Sequence, residues 1–239
     1  MLLSKPTSRR KFLLSSLIAL PALGVTIKGL SAASAAEMVA PALDSYTPTF
    51  FSATEWTFMM AACDRLIPAG GKAPGALETN VPVFMDQQLA SDLGSEIYLE
   101  GPFDLAAPAT LGYQIPYLPQ QIYRNGIKAV DAWCEHAHHE RFALLDATTQ
   151  DSVLKKLEAG EVDFAAFGEE VLGSKLFFSE MLSLSQQGYL SDPIYGGNKG
   201  MKAWIAIGFP GARASYLEWV AQHNVKYPLG PVSLNGDRG

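Results

Sequence analysis

His136, His138 and His139, followed by Glu140, form the one cluster in this chain with the residue types of a metal site. His136 and Glu140 stand four apart and would share a helix face, which is metal-ligand spacing. His138 and His139 are adjacent and point to different faces, and the zinc-protease order His-Glu-x-x-His is absent. The cluster therefore reads as a solvated or partner-facing helix end, where protonated histidines also complement the helix dipole.

Other chemistries lack their parts. Attachment of a c-type haem needs Cys-x-x-Cys-His, which does not occur. An iron–sulfur cluster needs several thiolates, and Cys63 and Cys134 stand alone in the sequence. Those two cysteines either pair in an oxidising compartment or lie buried as small apolar residues. Gly196-Gly197-Asn198-Lys199-Gly200 has neither the spacing nor the preceding strand of a dinucleotide turn. Glu169-Glu170 and Glu158/Glu161 read as solvated helix faces rather than acid–base pairs. No serine sits in a Gly-x-Ser-x-Gly elbow. The expectation is a chain with no catalytic, cofactor-binding or metal-ligating residues of its own.

The C-terminal third offers surface rather than catalysis. Asp192-Pro193-Ile194-Tyr195-Gly196-Gly197-Asn198 joins a rigid proline to two glycines, and Gly208-Phe209-Pro210-Gly211 repeats the pattern around an aromatic. These are either tight turns that pack Tyr195, Trp204 and Phe209 on the core, or a rigid aromatic surface for another protein. Both can hold, because aromatic anchors bind at low entropy cost.

The elements that would position these residues are helical. Ser52-Ala53-Thr54-Glu55 is a capping box opening a helix to about Leu66, with Trp56, Met59, Met60, Cys63 and Leu66 on one face. Asn80 can cap a second helix through Val81, Phe84, Met85 and Leu89. Residues 94–119 are irregular and proline-rich, a length more typical of a binding segment than of a connector. A third helix spans about Pro119–His139. Thr148 and Asp151 open a fourth ending at Gly160, segments 163–172 and 174–187 follow, and Gly188 suits a left-handed cap. A final amphipathic helix is expected near Arg213–His223. No alternation of period two lasts long enough for a sheet. The chain reads as mainly α, with one compact domain over 51–239 and long irregular loops, after a flexible lead-in at 37–50.

Ahead of that domain, Arg9 and Arg10 directly precede the apolar Phe12 and Leu13, then a mildly apolar run to about Ile27 and small residues through Ala36. Charged, apolar and small-residue zones in that order make an export signal, and the paired arginines give it the twin-arginine form. The run falls short of the ~20 residues of a spanning helix and is interrupted by Pro21 and Gly24. Cleavage after Ala36 would leave 13 basic and 24 acidic residues. That balance is unsuited to nucleic acid. Periplasmic location and membrane association through a partner are the expectation.

Several segments in order resemble the gluconate 2-dehydrogenase subunit 3 family, the small subunit of membrane-bound flavin sugar, polyol and sugar-acid dehydrogenases. They are Phe50–Trp56, Asp64–Pro68, Pro74–Ala76, Val81–Asp86, Tyr123–Ile127, Phe177-Phe178, Asp192–Asn198, Trp204, Ile207–Arg213 and Tyr227-Pro228, and together they cover nearly all of the chain after the signal. The resemblance implies a heterotrimer at the outer face of the inner membrane. A large subunit holds FAD, and a multihaem cytochrome c passes electrons to quinone. The small subunit escorts the large one through folding and the twin-arginine translocase. On this view Asp192, Pro193, Tyr195, Gly196, Gly197, Asn198, Trp204, Phe209 and Pro210 contact the large subunit.

Overall fold

A computed structural model describes residues 42–92, 100–104, 106–112 and 114–239, which fall in one compact unit. The signal residues Arg9, Arg10, Phe12 and Leu13 and part of the 94–119 segment lie outside the described residues. Among the described residues there are six α-helices and no strand: α1 (Ala53–Leu66), α2 (Val81–Ala90), α3 (Pro119–His138), α4 (Ala147–Ala159), α5 (Ser174–Leu190) and α6 (Lys202–Ile207). No described helix is long and apolar enough to cross a membrane.

Helix α5 is the axis of the fold and touches each of the other five helices. Its Phe177 sits at the middle of an aromatic core, with ring centroids 6.2 Å from Tyr123, 6.4 Å from Phe58 and 6.2 Å from Phe164. Tilted and edge-on pairs of this kind add to the area buried, because ring edges and faces carry opposite partial charge. Helix α3 comes close enough to meet Phe177 because Gly126 has no side chain. A Cβ there would stand 2.1 Å from the Phe177 ring.

Helix α1 begins as the capping box requires: Ser52 Oγ accepts the Glu55 amide, and Glu55 accepts the Ser52 amide. Helix α4 is capped two residues earlier than the Thr148–Asp151 reading, by Asp146, whose carboxylate accepts the amides of Thr148 and Thr149. Two expected caps differ from their reading. Asn80 stands at the N-cap of α2, but its backbone is left-handed and its side chain makes no capping bond. Gly188 lies inside α5, where its bare Cα lets the Phe84 ring of α2 approach; a Cβ would meet that ring at 2.7 Å.

Segment 163–172 forms only the 3-10 turn Ala165–Phe167. Glu169 explains why, and it is not on a solvated face. Its buried carboxylate accepts the amides of Val171 and Leu172 and the Tyr117 hydroxyl, which holds the chain in a turn instead of a helix. The Arg213–His223 helix is likewise reduced to the 3-10 turn Leu217–Trp219. Just ahead of it, the Ala212 amide donates to Val232 O.

The end of the lead-in is fastened down. Asp86 of α2 is fully buried, and its carboxylate accepts five hydrogen bonds from the strap before α1. They come from the Tyr46 hydroxyl, the Thr49 amide and hydroxyl, and the amides of Phe50 and Phe51, at 2.7–3.0 Å. Burial pushes this carboxyl up, but the amides of Phe51 and Thr49 and the two hydroxyls outweigh it and leave it below its usual value. Arg124 of α3 completes the strap. It pairs with Glu55, donates to Phe50 O at 2.7 Å and lies 4.3 Å over the Phe50 ring.

Candidate partner interface

The residues from 190 onward build a surface unlike the rest of the molecule. The loop between α5 and α6 is a tight knot in which Gly196, Asn198, Gly200 and Met201 all have positive φ. Asn198 tolerates that backbone better than most residues, because its short polar side chain bonds locally. Here it is fully buried. Its amide donates to Ser191 O at 3.0 Å, and its carbonyl accepts the Ala203 amide at 2.9 Å. One side chain thus joins the end of α5 to the start of α6. Gly197 lies so close to α5 that a Cβ would meet Gly188 O at 2.2 Å. Asp192, also buried, accepts the amides of Ile194 at 3.1 Å and Leu234 at 2.8 Å.

The nine residues expected at a partner surface therefore divide. Asp192, Gly196, Gly197, Asn198 and Trp204 are buried, while Pro193 and Pro210 are half-buried. Only Tyr195 and Phe209 face outward. Trp204 is a support. Its indole N–H donates to Leu190 O at 2.8 Å, and its ring meets Phe209 edge-on at 5.0 Å. The knot is a rigid base, and its work is to hold other side chains out.

Those other side chains include residues that sequence reasoning passed over. Ile194, Ile205 and Ile207 are exposed beside Tyr195 and Phe209 in the chain, with Ile207 61 % exposed. A signal for them did exist: Trp204-Ile205-Ala206-Ile207 is apolar on every side of a six-residue helix, which cannot bury them all. Twelve of the fifteen exposed large apolar side chains among the described residues lie between 190 and 234. Charge divides in the same place. Residues 37–189 carry eight basic and twenty-one acidic side chains, whereas 190–239 carry five and three. From residue 37 onward, the apolar surface thus lies where negative charge is not in excess.

The remaining candidates come apart. His136, His138 and His139 are exposed at the end of α3, and His139 is its left-handed C-cap. Among the described residues no three His, Cys, Asp or Glu side chains come together to hold a metal. Cys63 and Cys134 are both free and fully buried, the second of the two arrangements their positions allow. The Cys63 thiol lies 3.6 Å from Met85 Sδ, and burial pushes both thiols up to about 12.

An open groove of about 850 Å³ runs between the lead-in, α1 and the turn after α3. Trp56, Met60 and Leu144 are among its apolar lining, and Asp64, Asp131 and Arg141 among its charged lining. Burial raises the Asp131 carboxyl, which accepts the Phe142 amide at 3.1 Å. A smaller groove of about 230 Å³ separates Trp204 and Phe209 from residues 226–231.

The family profile of gluconate 2-dehydrogenase subunit 3 matches residues 53–211, from the first helix through the last residue of the Phe209 turn. The chain belongs to the gluconate 2-dehydrogenase subunit 3 family. Comparisons with curated proteins and with solved structures return no match. The family region takes in the Asp192–Asn198 knot, α6 and Phe209, so the rigid base and the first half of the apolar surface lie inside it. Residues 212–239, which carry the second half, lie outside.

Proposed function

We propose that this chain is the small, non-catalytic subunit of a membrane-associated FAD-dependent dehydrogenase complex that oxidises a sugar, polyol or sugar acid. It escorts the FAD-bearing large subunit through folding and twin-arginine export, and then stays bound at the periplasmic face. Electrons leave the large subunit through a multihaem cytochrome c to quinone, and the complex meets the membrane through that partner. The chain itself holds no cofactor. FAD belongs to the large subunit and haem c to the cytochrome.

The observation that carries this reading is the exposed apolar surface from Leu190 to Leu234, held rigid by a buried polar knot and lacking the excess negative charge of the rest of the mature chain. An apolar patch with aromatic anchors and a polar rim is what a protein–protein contact needs. Family membership supplies the class of partner. The twin-arginine signal supplies the reason for pairing before export, since that route takes folded, cofactor-loaded cargo.

Deleting this chain from its host is expected to leave the large subunit out of the periplasm and poorly loaded with flavin. Supplying residues 37–239 without the signal is then expected to restore a folded, flavin-loaded large subunit that stays in the cytoplasm. A large subunit that folds and is exported normally without this chain would contradict the proposal.

A second reading rests on the 850 Å³ groove, whose apolar lining and three carboxylates, Asp44, Asp64 and Asp131, against the one cation Arg141, suit a small cationic ligand. Calorimetric titration of the isolated mature chain with small amines tests it. A saturable heat that Asp131→Asn abolishes would favour a free-standing binding protein.

A further inference from the structure

Residues 212–239 lie beyond the family match, yet they fold back on the surface that the match contains. Ala212 N donates to Val232 O at 2.7 Å, and Val232 N donates to Pro210 O at 3.2 Å. Gly211 permits this contact: its φ is +73°, and a Cβ would stand 2.2 Å from Val232 O. Leu234 N reaches Asp192 of the knot at 2.8 Å, and Arg213 donates to Gly230 O at 2.7 Å with its guanidinium 5.4 Å from the Tyr227 ring. The tail also has its own small aromatic cluster. Tyr227 meets Trp219 at 5.2 Å and Tyr216 at 6.0 Å, both edge-on.

An anchored tail with ordered aromatics would be expected to turn its apolar residues inward. It does the reverse. Leu217 is 83 % and Val220 69 % exposed, and Val225, Leu229 and Leu234 are exposed as well. The tail carries Arg213, Lys226 and Arg238 against Glu218 and Asp237, and Lys199 and Lys202 lie just ahead of it in the chain. Its apolar edge therefore continues the family surface, with net positive charge, on a chain whose first three-quarters is strongly negative.

We propose that residues 212–239 are the selectivity element of the partner interface: the family body offers a common docking base, and the tail decides which large subunit it accepts. The occupant is the FAD-bearing large subunit, through an apolar strip rimmed by carboxylates. An acidic rim is repelled by residues 37–189 and tolerated only here, so charge sets the orientation and the apolar edge sets the affinity. This inference rests on the escort reading above.

The test uses the full chain, affinity-tagged in its own host, with the recovered large subunit identified by mass and quantified by flavin absorbance. The tail variant is Leu217→Glu with Val220→Glu, and the body variant is Tyr195→Glu with Ile207→Glu. All four positions are exposed, and unchanged melting of each variant verifies the fold. The tail variant is expected to recover at least about tenfold less large subunit, an affinity loss that one or two lost apolar anchors can supply. Exchanging 212–239 for the tail of another family member is expected to switch which large subunit is recovered. Loss in the body variant alone, or an exchanged tail that leaves the choice unaltered, overturns the tail's role and leaves the escort reading standing. Full recovery in both variants overturns the escort reading itself. Sedimentation of the purified mature chain with anionic phospholipid vesicles, or a stable dimer, abolished by Leu217→Glu with Val220→Glu, would assign the edge to a membrane or a second copy and overturn the proposal.

Discussion

Asp192 and Leu234 are 42 residues apart in sequence, and the Asp192 carboxylate accepts the Leu234 amide at 2.8 Å. Its other oxygen accepts the Ile194 amide at 3.1 Å. One buried carboxylate thus fixes the turn of the family motif and ties the tail to it, making two stretches of exposed apolar residues into one surface.

Asp192→Ala leaves both amides without an acceptor. Stranding buried donors costs about 1–3 kcal/mol. Melting is expected to fall by several degrees, with faster proteolytic clipping beyond residue 211. Asp192→Asn keeps one acceptor and is expected to lie between. Limited proteolysis with thermal melting checks this, and an unaltered clipping rate in Asp192→Ala would contradict it.

Asp86 predicts an acid limit. Its folded-state pKa is depressed, so its contribution is fully present above the unfolded carboxylate value, about 3.9, and is lost as pH falls through the folded value. Melting temperature against pH is expected to drop below about pH 4. In Asp86→Asn the protein is less stable at neutral pH and this part of the acid drop is missing. An equally steep acid limb in Asp86→Asn would remove Asp86 as its source.

The two thiols are expected to be inert in the native protein. Both are buried with pKa values near 12, and the thiolate is the reactive form. Iodoacetamide at neutral pH should label neither Cys63 nor Cys134 until denaturant is added, and then label both. An oxidised pair in the intact mass of exported protein would contradict this.

Core and surface contacts should differ widely in weight. Phe177→Ala removes the ring against which α1, α3 and Phe164 pack onto α5 and is expected to cost about 3–5 kcal/mol. Arg65 pairs with Asp151 at 2.8 Å across α1 and α4, but both side chains are partly exposed, so Arg65→Met is expected to cost under about 1 kcal/mol. Chemical denaturation of the two variants measures the ranking.

Much of the helical frame was legible from local sequence. The capping box at Ser52, the apolar face of α3 and the class of the fold follow from signals within a few residues of each other. What local sequence hid is long-range. Nothing near residues 46–51 announces that Asp86, some 35–40 residues on, will fasten them. Gly188 reads as a cap until Phe84 is seen against its Cα, and Glu169 reads as solvated until Tyr117 arrives. The amphipathic pattern at 213–223 is real, yet it yields only a 3-10 turn, and Leu217 and Val220 are left exposed. For the proposed interface, sequence drew attention to the loop but did not show which of its residues are buried and which are exposed. Trp204 and Asn198 are buried in the fold, while Ile205, Ile207 and Leu217 are exposed.

The central claim is that this chain carries a partner across the membrane. Arg9→Lys with Arg10→Lys, in the otherwise intact chain and host, tests it most directly, with flavin dehydrogenase activity and large-subunit antigen followed in periplasm and cytoplasm. The expected result is that both subunits remain in the cytoplasm while the large subunit stays bound and flavin-loaded. Normal periplasmic delivery of the large subunit by this strain would contradict the account.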